Sequence, residues 1–148
     1  MSGKSGGGFV IKISTKDMTY ETMMNFEKLV ASKGDLIKMS FDIYDLPMEY
    51  DDDDLIIRWF EHKKDADQRV AIPFIKALME RARTHKVVSE KPLVTNNPYR
   101  SFYRFLFYIG LGGRGEKNKW LRKELLKNMK GCHKKIPIDE TERKVYRV

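Results

Sequence analysis

The side chains best suited to chemistry in this sequence are cations interleaved with aromatic rings between positions 100 and 130: Arg100, Arg104, Tyr108, Arg114, Lys117, Lys119, Trp120, Lys123, Lys127 and Lys130. Lysines neutralise phosphates as compact point charges. Arginines present a planar fork that grips two phosphate oxygens, and Trp or Tyr rings offer faces on which bases or sugars stack. Nothing in this set reads a base edge in a fixed pattern, so the expected contact is sequence-independent and weakens steeply with salt. The plainer alternative is that the lysines solvate a surface while the rings complete a core. For Phe102, Phe105 and Leu106, spaced like the buried stripe of a helix, the core reading is preferred.

The charge distribution favours a polyanion as partner. The chain has 148 residues with 29 Lys+Arg against 21 Asp+Glu, a formal charge of +8. Positions 1–85 carry 13 basic and 15 acidic residues, whereas 86–148 carry 16 and 6. The excess therefore lies wholly in the C-terminal part. Within 111–135 there are nine basic and two acidic residues, a density that attracts nucleic-acid phosphates, anionic lipid or an acidic protein surface.

Other constellations are weaker. Asp51-Asp-Asp-Asp54, preceded by Glu49, could offer oxygens to a hard cation, but adjacent carboxylates on an extended chain diverge, so a solvated acidic loop is expected and no metal. Gly110-Leu-Gly-Gly-Arg-Gly115 follows a helical rather than a strand pattern. It matches neither a dinucleotide fingerprint nor a phosphate loop, and a helix–helix hinge is expected. His62, His85, Cys132 and His133 lack the spacing of a metal site or a nucleophile pair. Leu55-Ile-Ile-Arg-Trp-Phe-Glu-His lacks the signature of an RNA-recognition strand, which leaves Trp59 in the core. No acid–base pair stands out, so a non-enzymatic protein without cofactors is expected.

Around these residues the pattern predicts an α+β fold: a small ferredoxin-like βαββα layer followed by a basic C-terminal helical hairpin. Residues 1–8, rich in Gly and Ser, are expected to be a flexible tail. Positions 9–148 would then form one α+β domain, with the layer at 9–88, the basic helices at 99–130 and a tail or strand at 131–148. Within the layer, Phe9–Ser14 reads as a strand. Tyr20–Ser32 reads as a helix capped by Thr19 and stopped by Gly34. The alternation of Ile37, Met39, Phe41 and Ile43 with polar residues predicts a second strand over 36–44. A third strand, or alternatively a short buried helix, is expected at 55–62, a helix from Pro73 to about Arg83 with Pro73 in its first turn, and a fourth strand at Val87-Val88. Ser89–Pro98 reads as a linker. Asn97 and Pro98 open a helix over 99–109 with Phe102, Phe105, Leu106 and Ile109 inward, and a further helix over 116–129 buries Leu121, Leu125 and Met129.

Arg100-Ser-Phe-Tyr-Arg-Phe-Leu-Phe-Tyr-Ile-Gly110 resembles a basic-aromatic stretch of rhabdovirus matrix proteins, over 11 of 148 residues. The resemblance implies a viral structural role, membrane association, nucleocapsid binding and residence in a virion. From the residues themselves, the expected partner is nucleic acid, RNA or DNA. An anionic membrane surface, met through Phe107, Tyr108 and Trp120, is the alternative, and a homo-oligomer is compatible with both. The single Cys132, the absence of an apolar signal core and the absence of a long apolar run suit a reducing, cytoplasmic compartment.

Overall fold

A computed structural model describes residues 8–16, 18–86, 95–129 and 144–147. Strand β1 (Phe9–Ser14) sends Phe9, Ile11 and Ile13 into the core. It runs antiparallel to β3 (Asp54–Ile57), in a register that places Ile11 opposite Ile57 and Ile13 opposite Leu55. Strand β2 (Met48–Asp51) pairs antiparallel with the outer edge of β3. The fourth strand, β4 (Lys144–Arg147), runs parallel to β1, so the order across the sheet is β2-β3-β1-β4. The mixed α+β class is therefore present. β4 comes from beyond the C-terminal helices, whereas Val87-Val88, expected to supply it, lie outside the described residues.

Helix α1 (Tyr20–Phe41) is the largest departure from the sequence pattern, since it passes straight through Gly34 and absorbs most of the expected second strand. Thr19 caps it, accepting from the Thr22 backbone N–H at 3.0 Å, and Asp42 ends it in the left-handed region at φ 58°. Buried positions Phe26, Leu29, Val30, Leu36, Ile37 and Ser40 keep the helical repeat across the glycine, whereas Met39, inward in a strand, is exposed. The two-residue alternation was incidental, and burial on one helical face decided the outcome. The second strand lies later, at β2, in what reads from sequence as an acidic connection. Asp52 and Asp53 form the turn between β2 and β3, with Asp51 opposite Asp54.

The third strand is shorter than expected, because turns begin at Trp59. Trp59 itself is buried, as anticipated. Helix α2 (Gln68–Thr84) starts a turn earlier than the sequence suggests, capped by Asp67, whose carboxylate accepts from the Arg69 N–H at 2.9 Å. Pro73 consequently lies inside the helix. The burial of Val70 and Ala71 against the core offsets the backbone hydrogen bond that a proline cannot donate.

Helix α3 (Pro98–Tyr108) begins as its cap residues predict: the Asn97 side chain accepts from the Arg100 N–H at 3.1 Å. Helix α4 (Glu116–Leu126) tightens into a 3-10 turn at Lys127–Met129. Both pack on the same core as the sheet. Ring contacts run without a break from Phe60 to Phe41 (4.9 Å), Phe74 (5.4 Å) and Phe102 (5.9 Å). The end of α4 is tied to α1 by polar bonds: Ser40 Oγ donates to the Leu125 carbonyl at 2.6 Å, and Asn128 Nδ2 donates to the Ser40 carbonyl at 2.8 Å.

At the N-terminal edge, residues 1–7 lie outside the described set, but Gly8 does not belong to a free tail. It is buried so tightly that a Cβ there would stand 1.6 Å from the Phe60 carbonyl oxygen, and the next residue, Phe9, donates its N–H to that oxygen at 3.1 Å. Only glycine fits this close approach.

Candidate nucleic-acid interface

Helix α3 divides cleanly into two faces. Phe102, Phe105 and Leu106 are buried, with Ile109 just beyond, while Arg100, Tyr103, Arg104, Phe107 and Tyr108 are exposed at helical i, i+3, i+4, i+7, i+8 spacing. Ser101, between the two faces, is half-buried and donates its hydroxyl to Thr95 at 3.0 Å. No acidic residue lies on α3.

The glycine loop after α3 is held by its carbonyls. Arg122 Nη1 donates to Leu111 O at 2.8 Å, Arg122 Nη2 to Gly113 O at 2.9 Å and Asn118 Nδ2 to Gly112 O at 2.9 Å. Gly110 and Gly113 take positive φ, 92° and 95°. At Gly112 a Cβ would run into the Phe107 ring. The loop is thus a hinge whose carbonyls turn toward α4 donors, and this arrangement is the reverse of an anion cradle. The Arg122 guanidinium also lies 5.1 Å from the Phe107 ring centroid, so one side chain connects loop, α3 and α4.

On α4 and the 3-10 turn that follows it, Lys119, Trp120, Lys123 and Lys127 are exposed. Lys127 differs from its neighbours, since it pairs with Glu124 at 2.9 Å on the side facing Asp67. Lys117 instead lines a groove of about 570 Å³ between α2, the glycine loop and α4, with Ile13, Met79 and Leu121 among its apolar walls and Lys76 and Arg83 also bordering it. Lys130 lies outside the described residues. Arg100, Arg104, Arg114, Lys117, Lys119 and Lys123 make no ion pair among the described residues.

The rings expected to stack are already engaged. Arg81 places its guanidinium 3.8 Å from the centroid of Tyr108, and Arg69 lies 5.4 Å from that of Trp120. Sequence reasoning missed Tyr103, and it brought in Phe107 only as a membrane-facing residue. Their rings stand 5.1 Å apart at 55°, with exposures of 41% and 46%. The signal that finds them is the outward repeat starting from Arg100.

The N-terminal candidates separate. The acidic run is a hairpin tip in which Asp52 N donates to Asp51 Oδ1 at 2.7 Å. Among the described residues no group of three His, Cys, Asp or Glu side chains could hold a metal ion. His85 contacts Thr84, His62 lies beside Glu61, and Cys132 and His133 are outside the described residues. A hollow of about 220 Å³ lies beside Trp59, Arg58, Glu61 and His62. Beside it Arg58 bonds Glu49 at 2.6 Å and Glu61 at 2.7 Å, and these carboxylates, Glu49 first, raise the guanidinium above its ordinary pKa, whereas the buried Trp59 Nε1 and His62 Nδ1 have no hydrogen-bond partner among the described residues.

Taken together, the described residues define an α+β protein with an aromatic, cationic outer surface on its C-terminal helices. No protein-family model, no curated protein and no solved structure matches the chain. Among the described residues, no helix is long and apolar enough to cross a membrane.

Proposed function

We propose that this chain is a non-enzymatic polyanion-binding protein that engages nucleic acid through α3, the glycine hinge and α4. The observation that carries the proposal is a set of cations, Arg100, Arg104, Arg114, Lys117, Lys119 and Lys123, that make no ion pair among the described residues, on a surface where exposed rings accompany them. Buried or paired charges would have little left to offer phosphate. Unpaired, solvated ones release phosphate-bound counterions on contact, a strong driving force at low salt. Arg122 and Asn118 act as positioning residues that hold α3 and α4 in their mutual arrangement.

In this reading the N-terminal elements are a scaffold of ferredoxin-like type, with β3 between β1 and β2, and α3 with α4 form the basic hairpin mounted on it. The contact is to phosphates and rings, with little sequence preference. The test is binding of a mixed-sequence oligonucleotide by fluorescence anisotropy. Replacing Lys119→Glu and Lys123→Glu together is expected to weaken binding by roughly a hundredfold at low salt, without a change in melting temperature. An unaltered affinity in that variant overturns the proposal. Flotation with anionic vesicles supplies the competing outcome: co-flotation without nucleic-acid binding reassigns the surface to lipid.

A further inference from the structure

Resting on that reading, we infer that the partner is single-stranded nucleic acid, seated with unstacked bases on the exposed ring pair Tyr103 and Phe107. Two rows run side by side along the outer face of α3, one of cations (Arg100, Arg104) and one of rings (Tyr103, Phe107), each with a four-residue step of ~6 Å. Such a layout lets phosphates follow the arginines while bases reach the rings. Among the described residues no cation lies over the Tyr103 ring, unlike those of Tyr108 and Trp120, and the Phe107 ring meets Arg122 and Gly112 while remaining 46% exposed.

The ring geometry selects the strand type. Bases in a duplex strand repeat at about 3.4 Å in parallel planes, whereas these rings are 5.1 Å apart and inclined by 55°. Successive bases cannot follow both rings and remain stacked on one another, so the strand must be splayed. Paired bases, buried in a duplex, cannot present their faces at all. Charge complementarity favours nucleic acid over an acyl boundary. Inserting Phe107 into lipid would carry the Arg122 guanidinium, 5.1 Å from its ring, with it, whereas a base stacked on the exposed part of the ring leaves that cation free to meet phosphate.

The experiment compares a 12-nucleotide single strand, as RNA and as DNA, with a duplex of equal length, using the full chain. The single strands are expected to bind at least about tenfold more tightly than the duplex at equal salt. Tyr103→Leu and Phe107→Leu should each weaken single-strand binding by roughly tenfold, leaving duplex affinity and the salt slope unchanged, because a ring is lost and no phosphate contact. Tyr103→Phe and Phe107→Tyr, which retain the rings, should keep the parent affinity and guard against a folding artefact at each position. Equal binding of single strand and duplex, or Leu variants that bind like the parent, overturns this inference while the polyanion reading stands on Lys119→Glu and Lys123→Glu. Loss of anionic-vesicle binding in the Leu variants, with no preference for single strands, overturns it in favour of lipid. A parent chain that binds neither nucleic acid overturns both.

Discussion

Four cations of the sheet layer and first two helices are held by acids, whereas six on the C-terminal helices are not; Lys12, Lys16, Lys76 and Arg83 likewise make no ion pair among the described residues. Around the sheet and the first two helices, Arg58 is forked between Glu49 and Glu61, Lys63 meets Asp65, Lys38 meets Asp35 and Arg69 meets Asp67. On α3, the hinge and the outer face of α4, six cations have no acidic neighbour within pairing distance among the described residues. A paired cation spends its field on its partner. An unpaired one projects its field into solvent and adds to those of its neighbours. Net charge alone does not distinguish these cases, and Lys127, paired to Glu124 within the basic helix, shows that the division is set residue by residue.

Altering the two regions should separate stability from binding. The largest effect belongs to the surface: the Lys119→Glu, Lys123→Glu change is expected to act on affinity alone. Next comes Arg58→Ala in the paired region. Glu61 is only 9% exposed, so losing the Arg58 guanidinium beside it should cost about 1–3 kcal/mol of folding stability in a urea titration, with oligonucleotide affinity unchanged. A loss of affinity without a loss of stability at Arg58 would dissolve the distinction.

A smaller effect is the pH response of Asp67. Its hydrogen bonds from Arg69 hold the carboxyl below its ordinary pKa, against the opposing effect of burial. Its contribution to stability is therefore present above the ordinary aspartate range and is lost as pH falls through the depressed value. Carboxyl NMR should show Asp67 titrating below the ordinary aspartate value, and Asp67→Ala, which also removes the α2 cap, should lower stability by about 1 kcal/mol at neutral pH. The smallest change has the opposite sign. Gly34 sits mid-helix, and an added Cβ would meet only Leu46 Cδ1, at an ordinary 3.5 Å. Gly34→Ala should raise stability by about 0.5–1 kcal/mol in thermal or urea denaturation, whereas a chain that turned at Gly34 into a strand would be destabilised.

What could be read from sequence was mainly what is decided locally. Asn97-Pro98 start α3 through a cap and a proline that act within one turn, and the buried stripe of Phe102, Phe105, Leu106 and Ile109 follows from its 3.6-residue period. The continuation of α1 was hidden because Gly34 and the alternation of Ile37, Met39, Phe41 and Ile43 both point away from a helix. The contacts that override them, such as Ser40 to Leu125, span 85 residues. β2 was missed because Glu49, Tyr50 and Asp51 are all exposed, leaving no apolar alternation to detect. In the candidate site, the cations were legible as a charge excess. Which rings remain free was not: Arg69 reaches Trp120 and Arg81 reaches Tyr108 only through the packing of α2 against the later helices.

The most direct test of the unpaired surface is the dependence of oligonucleotide affinity on salt. With about five or six phosphates neutralised on a single strand, at about 0.7 each, log K should fall against log salt with a slope of roughly −3.5 to −4.2. In Arg58→Ala the slope should stay the same, and in the Lys119→Glu, Lys123→Glu variant it should be markedly shallower. A slope near zero in the parent, or one that both variants share with it, would contradict the account.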